Sequence, residues 1–184
     1  ISSMMPVFME FADKMRALPR YRDYQFVVAA APSRSMSDYS SYIGGRESYV
    51  KVVFGQSYAV LRHAEAAVVN SGTASLETAL IGTPQVVAYK SAEINFLIAK
   101  QIIKIKYISL GNLILNRTCF RELLQFYFTP ENVLEEVIRM IEDTEYRETM
   151  LAGYKEIRDA LGGRGASAAV AKAMIEDMRQ YMVI

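Results

Sequence analysis

The sequence predicts an α/β fold with a Rossmann-like, doubly wound parallel sheet and helices at its C-terminal end. Short apolar runs alternate along the chain with segments of helical periodicity, which is typical of βαβ units. Apolar residues make up 52% of the 184 residues and charged residues 22%, a balance that favours a packed core over disorder. Segment 66–89 shows the pattern best, because two buried runs flank a small-residue turn and a short helix.

The other elements follow from periodicity and from turn residues. Pro6 is tolerated in the first turn of a helix, and Thr129-Pro130-Glu131 is a strong helix start because it combines a cap, a proline and an acid. In chain order the sequence predicts a helix at 2–17, a strand at 24–31, a loop with a short helix at 33–42, a strand at 49–54, a helix at 57–64, strands at 66–70 and 85–89 around a short helix, a helix at 91–104, a last strand at 107–110, a loop at 111–117, and helices from 130, at 143–161 and at 166–182.

Composition argues against several classes of protein. The net charge of +1 gives no reason to expect a nucleic-acid partner. The single cysteine, Cys119, rules out an internal disulfide and fits a reducing compartment. The single histidine, His63, argues against a His-rich metal site, and no Asp-x-Asp motif occurs, so we expect neither a metal nor a cofactor. No uncharged apolar run reaches the ~20 residues that span a bilayer.

The turn after run 66–70 is the main candidate binding site. It follows a predicted strand at the edge where open α/β sheets bind ligands, and its N–H groups open a helix, which favours an anion. Ser71 and Thr73 add hydroxyl donors, and Gly72 lets a phosphate approach the backbone. Glu77 lies one turn further on, where a carboxylate can accept hydrogen bonds from two sugar hydroxyls. The alternative is that Ser71 or Thr73 simply caps the helix.

Three segments carry a resemblance to a known family. They are SGTASLE at 71–77 with GTPQVVAY at 82–89, YISLGNLI at 107–114, and RELLQ at 121–125 with PE at 130–131. Their order and spacing resemble those of lipid-A-disaccharide synthase, a bacterial glycosyltransferase family, over most of residues 24–170. One departure is Gly111, where many members have proline and where glycine is expected to loosen a loop.

The resemblance implies both a fold and a reaction. Residues 1–184 would be the C-terminal, nucleotide-binding domain of a two-domain GT-B glycosyltransferase, without its N-terminal domain, first strand and phosphate loop. The implied reaction transfers 2,3-diacylglucosamine from UDP to 2,3-diacylglucosamine 1-phosphate with inversion, giving the β-1,6 lipid A disaccharide and UDP. The general base is expected in the N-terminal domain, so this chain alone is predicted to be inactive.

The resemblance and the fold together assign site residues. Asn112 is expected at the active-site cleft, and the alternative is that it orders its own turn. Fold analogy alone suggests uracil contacts in the loop after strand 49–54. The expected UDP-binding residues are Ser71, Gly72, Thr73, Ala74, Glu77, Phe54, Gly55 and Gln56.

The expected location is cytoplasmic, peripheral on the inner face of the inner membrane. Helix 91–104 mixes apolar and basic side chains, which suits an anionic membrane surface, although a core helix with solvated lysines is slightly favoured. The resemblance leaves a homodimer open. Two other functions also stay open: a UDP-N-acetylglucosamine 2-epimerase-like enzyme, and a non-catalytic module that binds a nucleotide or a lipid surface.

Overall fold

A computed structural model describes residues 1–70, 72–90, 106–162, 174–175 and 177–178. Its strands are parallel and are separated along the chain by helices, so the fold is α/β and Rossmann-like. The described strands are β1 (Phe26–Ala30), β2 (Val50–Phe54), β3 (Ala67–Asn70), β4 (Gln85–Tyr89) and β5 (Glu122–Leu124). The described helices of more than one turn are α1 (Met5–Ala17), α2 (Ser37–Ile43), α3 (Ser57–His63), α4 (Thr73–Ile81), α5 (Leu110–Leu115), α6 (Pro130–Glu142) and α7 (Thr144–Leu161).

The described strands form two parallel sheets. In the first, β1 pairs with β2, and Val28 lies opposite Val52. In the second, β4 lies between β3 and β5, and Val87 lies opposite both Val69 and Glu122. The sequence predicts one sheet, but no described strand pairs with the second edge of β1 or of β3.

The main core joins the two sheets. It contains Met15 from α1, Val86 from β4, Leu123 from β5 and Met140 from α6, each at most 1% exposed. Phe26 of β1 and Val68 of β3 pack against the same cluster. At the amino ends of these two strands, the Tyr24 hydroxyl donates to the Glu65 carboxylate at 2.7 Å. The strands therefore share one core although they do not pair.

Most predicted elements are confirmed within the described residues. Thr129 caps α6 by accepting a hydrogen bond from the Asn132 N–H at 3.2 Å. Asp143 caps α7 in the same way, accepting from the Tyr146 N–H at 2.9 Å. Gly82 ends α4 in the left-handed conformation at φ 99°, which explains the Gly-Thr-Pro break after this helix.

The predicted last strand at 107–110 and the loop at 111–117 are wrong. Leu110–Leu115 forms α5, and the last strand is instead β5. Gly111 does not loosen a loop, because a Cβ at this position would lie 2.8 Å from the Phe120 ring. The missing side chain lets α5 pack closely on that ring. The residues Tyr-Ile-Ser-Leu favour a β-strand, but in this segment tertiary packing overrides the local propensity.

Two predicted helices fall wholly or largely outside the described residues. Helix 91–104 lies outside them entirely. Of the predicted helix 166–182, the structure describes 174–175 and 177–178, which are helical and exposed. Among the described helices, none is both long and apolar enough to cross a membrane.

Candidate functional site

The turn between β3 and α4 has the geometry that the sequence predicts. Gly72 adopts φ 127°, a backbone conformation that residues with a side chain rarely adopt. No atom beyond its two chain neighbours lies within 4 Å of where its Cβ would be. Thr73 begins α4 and is exposed, as is Ala74. Glu77 follows one turn later and is half-buried. Ser71 lies outside the described residues. The start of α4 is therefore open to a ligand at the carboxyl end of β3.

Thr73 does not cap α4. The capping position belongs to Gly72, which has no side chain, and no side-chain cap is present. Instead the Gly72 carbonyl accepts from the Ser75 Oγ at 2.8 Å, and the Gln85 amide donates to the Ser75 carbonyl at 2.8 Å. The hydrogen bonds of Ser75 thus hold the first turn of α4 on its buried side. Thr73 lies on the exposed side of the same turn.

Glu77 on α4 faces Tyr58 on the neighbouring helix α3. The negative charge of the Glu77 carboxylate raises the pKa of Tyr58. The Tyr58 ring nevertheless remains 55% exposed. Sequence reasoning did not select Tyr58. Its position two residues after Gln56, next to the loop assigned to the base, was a usable signal.

The predicted base-contact loop lies at the carboxyl end of β2. Phe54, Gly55 and Gln56 are all exposed, and Gly55 adopts φ 68°. An open hollow of about 370 Å³ is lined by Gly55 and Gln56 together with the first turn of α3, which carries Tyr58. β2 does not pair with β3, so the end of β2 and the turn at Gly72 belong to different described sheets. The two regions are connected through α3, which packs against α4.

Asn112 is fully buried, and its side-chain amide has four hydrogen bonds. Its Nδ2 donates to the Phe120 carbonyl and to the Glu122 carboxylate, both at 2.9 Å. Its Oδ1 accepts from the N–H groups of Cys119 at 2.7 Å and Phe120 at 3.3 Å. These bonds use the donors and lone pairs of the amide. In this geometry Asn112 positions the loop before β5 and does not present its amide to the turn at Gly72.

Glu122 is the second residue of this buried network and was not selected from the sequence. Its carboxylate accepts from the N–H groups of Ile108 and Ser109 at 3.0 Å each, and from the Ser109 hydroxyl at 2.5 Å. The motifs at 107–114 and 121–125 therefore belong to one hydrogen-bonded unit. At its far end Gln125 adopts φ 49°, a left-handed conformation that is uncommon outside glycine.

A larger hollow, of about 420 Å³, lies elsewhere, beside α1 and the loop before β2. Its charged groups pair with one another. Arg46 contacts the Asp13 carboxylate at 2.6 Å, and the Arg16 guanidinium stacks 4.5 Å from the centre of the Tyr49 ring. We do not assign a ligand there for this reason. In the described part of the chain, no three histidine, cysteine or acidic side chains gather where they could hold a metal ion.

The parallel sheets and the glycine turn that opens α4 define a Rossmann-like α/β protein of the doubly wound class. Comparison with known proteins then gives the family. A family model described as lipid-A-disaccharide synthetase matches residues 1–174. The chain belongs to that family.

Curated relatives agree with the family match. A lipid-A-disaccharide synthase of Anaeromyxobacter dehalogenans is 33% identical over 180 residues, which is 97% of this chain and 46% of the relative. One from Trichlorobacter lovleyi is 32% identical over 98% of this chain and 46% of its own length. One from Myxococcus xanthus is 35% identical over 96% of this chain and 45% of its own length. The chain thus spans less than half the length of these relatives.

Proposed function

We propose that this chain is the UDP-sugar-binding, C-terminal part of a GT-B glycosyltransferase that makes the lipid A disaccharide. The reaction transfers 2,3-diacylglucosamine from UDP to the 6-hydroxyl of 2,3-diacylglucosamine 1-phosphate, with inversion and release of UDP. The observation that carries the proposal is the open turn at Gly72, with Glu77 one helical turn beyond it. The family membership and the curated relatives support the same reaction.

The roles of the turn follow from the charge of the leaving group. UDP gains negative charge as the sugar leaves, and backbone N–H groups at a helix start stabilise such charge without a metal. In the proposal, Ser71, Gly72, Thr73 and Ala74 surround the phosphates. Glu77 accepts hydrogen bonds from the ribose hydroxyls and so fixes the nucleotide in register.

The base is proposed to lie against the loop after β2, formed by Phe54, Gly55 and Gln56. The exposure of these three residues and the adjoining hollow support this assignment. Asn112 is proposed to be a positioning residue of the active-site cleft, because its buried amide hydrogen-bonds the backbone of the loop that leads into β5.

The rest of the catalytic apparatus is proposed to lie in a longer protein. The observed strand orders, β2-β1 and β3-β4-β5, become the doubly wound order 3-2-1-4-5-6 when one further strand lies between β1 and β3. The relatives are about twice as long as this chain, which leaves room for that strand and for a domain with the general base. This chain alone is then inactive.

The proposal includes a peripheral location on the cytoplasmic side of the inner membrane, because both substrates are acylated. The basic and apolar segment 91–104 is the proposed contact with anionic lipid and lies outside the described residues. A homodimer remains compatible with the proposal.

The test uses the full-length protein, with Glu77→Ala compared with Glu65→Ala. Glu65 is an exposed acid at the amino end of β3, whereas Glu77 lies beyond its carboxyl end. Losing hydrogen bonds to a carboxylate costs about 1.5–3 kcal/mol, so we expect Glu77→Ala to weaken UDP binding roughly 10- to 150-fold in calorimetry. Glu65→Ala is expected to bind as the wild type does.

The same proteins are then assayed for disaccharide from the two acylated substrates. Product from the wild type and from Glu65→Ala, with a large loss for Glu77→Ala, is the expected result. Conversion of UDP-N-acetylglucosamine without disaccharide would contradict the transferase and favour an epimerase. Wild-type protein that binds no UDP would contradict the nucleotide site altogether.

A further inference from the structure

The two most exposed large apolar side chains of the described residues are neighbours in the chain. Phe126 is 75% exposed and Tyr127 is 69% exposed, and both follow closely after β5. Exposed apolar residues that are scattered singly need no explanation, whereas a contiguous exposed patch often marks a binding surface. Phe126 and Tyr127 are called the aromatic pair below.

The backbone that carries the aromatic pair is anchored. Residues Gln125–Tyr127 form a single 3-10 turn, in which the buried Gln125 adopts φ 49°. This conformation costs free energy for a residue with a side chain, and it persists only where the surroundings hold it. The Tyr127 carbonyl accepts a hydrogen bond from the Asn132 side-chain amide at 2.8 Å, and the next residue, Phe128, is buried in the main core. The pair is therefore exposed on a fixed turn.

The strand register places this turn beside the proposed phosphate site. Asn70 of β3 lies opposite Ala88 of β4, which in turn lies opposite Leu123 of β5. Two residues further along each outer strand, the chain reaches Gly72 on one side and Gln125 on the other. Paired strands lie about 4.8 Å apart, so the ends of β3 and β5 are separated by about 10 Å. The aromatic pair thus follows at the same edge of the sheet as the turn at Gly72.

The segment around the aromatic pair is uncharged. Between Glu122 and Glu131 the sequence contains eight residues, LLQFYFTP, and none of them carries a charge. Glu122 accepts hydrogen bonds from the backbone at Ser109, and Glu131 lies 3.0 Å from Lys14. Segments that bind anionic membranes usually combine apolar residues with lysine or arginine. The composition here fits a hydrocarbon chain better than a charged lipid surface.

We propose that the aromatic pair contacts an acyl chain of the sugar donor and makes the site prefer long acyl chains to short ones. This proposal rests on the proposed function, because it assigns a further part of the ligand that the same site binds. With the diphosphate at the turn at Gly72, the acyl groups begin one sugar ring away. A chain that follows the sheet edge then reaches the end of β5, about 10 Å from β3.

The size of the effect follows from apolar burial. Aromatic side chains offer large apolar surfaces, and each methylene group that is removed from water strengthens binding about fourfold. A chain that places only a few methylene groups against the aromatic pair therefore gains a measurable preference. UDP, which has no acyl chain, gains nothing from the pair.

The experiment uses the full-length protein and three ligands: UDP, UDP-2,3-diacetylglucosamine and UDP-2,3-dihexanoylglucosamine. The two nucleotide sugars differ only in the length of their acyl chains. Calorimetry compares the wild type with the double variant Phe126→Ala/Tyr127→Ala, the conservative variant Tyr127→Phe and the control Val27→Ala. Val27 is also an exposed apolar residue, at 43%, but it lies near the amino end of β1.

We expect the wild type to bind the dihexanoyl donor more tightly than the diacetyl donor. The double variant should bind the dihexanoyl donor at least about tenfold more weakly, because the rings no longer cover its chains. It should bind UDP and the diacetyl donor as the wild type does, which also shows that it folds. Tyr127→Phe keeps the ring and should keep the preference, and Val27→Ala should leave all three affinities unchanged.

Other outcomes contradict the proposal in distinguishable ways. If the wild type binds UDP but does not discriminate between the two sugars, or if the double variant keeps the preference, the nucleotide site stands and the acyl contact is wrong. An equal loss for all three ligands would assign the aromatic pair to the fold. Unchanged donor affinities with weaker co-sedimentation on anionic vesicles would assign it to the membrane. If the wild type binds no UDP, the proposed function fails and this proposal fails with it.

Discussion

The two sheets contain similar sequences but differ in how well they are covered. In β4, with the sequence QVVAY, the first four residues are buried, because α4 packs on this strand and α6 also contacts it. In β1, with the sequence FVVAA, burial alternates, and Val27 is 43% exposed. β2 is also only partly buried along its length.

This difference shows that an apolar strand sequence does not by itself tell how deeply the strand is buried. Near-continuous apolar runs are typical of parallel strands buried on both faces. β1 and β4 both have such runs, yet the described residues bury only β4 in that way. The apolar run in β1 therefore predicts a strand that is more deeply buried than the described residues make it. This supports the proposal of a further strand beside β1.

The largest expected effect is a loss of stability when an apolar side chain is truncated, and it should differ between a buried residue of one sheet and an exposed residue of the other. Leu123 in β5 is 1% exposed, so Leu123→Ala leaves a cavity and should lower the free energy of unfolding by about 2–5 kcal/mol. Val27→Ala in β1 should cost less than about 1 kcal/mol, since much of the side chain already meets solvent. Urea unfolding measures both. Similar losses for the two variants would show that β1 is as well covered as β5.

A smaller effect is expected at a buried carboxylate under the better-covered sheet. Glu136 is 0% exposed, accepts a hydrogen bond from the Tyr146 hydroxyl, and lies 3.2 Å from Arg121. Glu136→Ala leaves both partners without this acceptor and should cost about 1–3 kcal/mol in urea unfolding. The neighbouring Glu135 also faces Arg121, at 3.6 Å, but its side chain is 68% exposed. Glu135→Ala should change stability by less than about 0.5 kcal/mol, and an equal loss would contradict burial as the cause.

The smallest effect is a pH dependence beside the less-covered sheet. The hydrogen bond from Arg46 lowers the pKa of Asp13 below its ordinary value of 3.8. Because the folded pKa is the lower one, the pair stabilises the fold fully above the unfolded pKa, and this contribution is lost as pH falls through the folded pKa. The two side chains are 29% and 37% exposed, so solvent screening limits the contribution to about 1 kcal/mol or less.

The measurement is the difference in free energy of unfolding between the wild type and Asp13→Asn. It should be constant above about pH 5 and should shrink as the pH falls below 3.8, towards the lowered pKa of Asp13. A difference that does not change across this acid range would show that the pair acts through packing and not through charge.

Much of the fold followed from local signals. Gly72 and Gly82 flank a helix because each needs a backbone conformation that suits glycine, and Thr129 is a helix cap that the sequence predicts. The segment 107–125 could not be predicted in this way. A helix replaces the predicted strand and loop, and the last strand lies further on, at β5. Asn112 and Glu122, ten residues apart, bond to each other in the core of this arrangement. Long-range contacts of this kind leave no periodic pattern.

The candidate site divides in the same way. The turn at 71–77 was visible because strand, glycine and helix follow one another directly in the chain. The proximity of Tyr58 to Glu77 was not visible, since the two residues lie on different helices and their approach depends on how α3 packs against α4. The buried position of Asn112 was also beyond the sequence, because an asparagine after Ser-Leu-Gly is compatible with either a surface turn or a core.

The Asn112 network restricts which mutations evolution can accept in this region. The position requires a short side chain that donates to Glu122 and the Phe120 carbonyl and accepts from two backbone N–H groups. Aspartate would set a second negative charge against Glu122. Leucine would leave the Phe120 carbonyl and the two backbone N–H groups without this partner, and Glu122 would lose one donor. A tolerated change at 112 therefore requires a compensating change at 122, so the two positions should covary across the family.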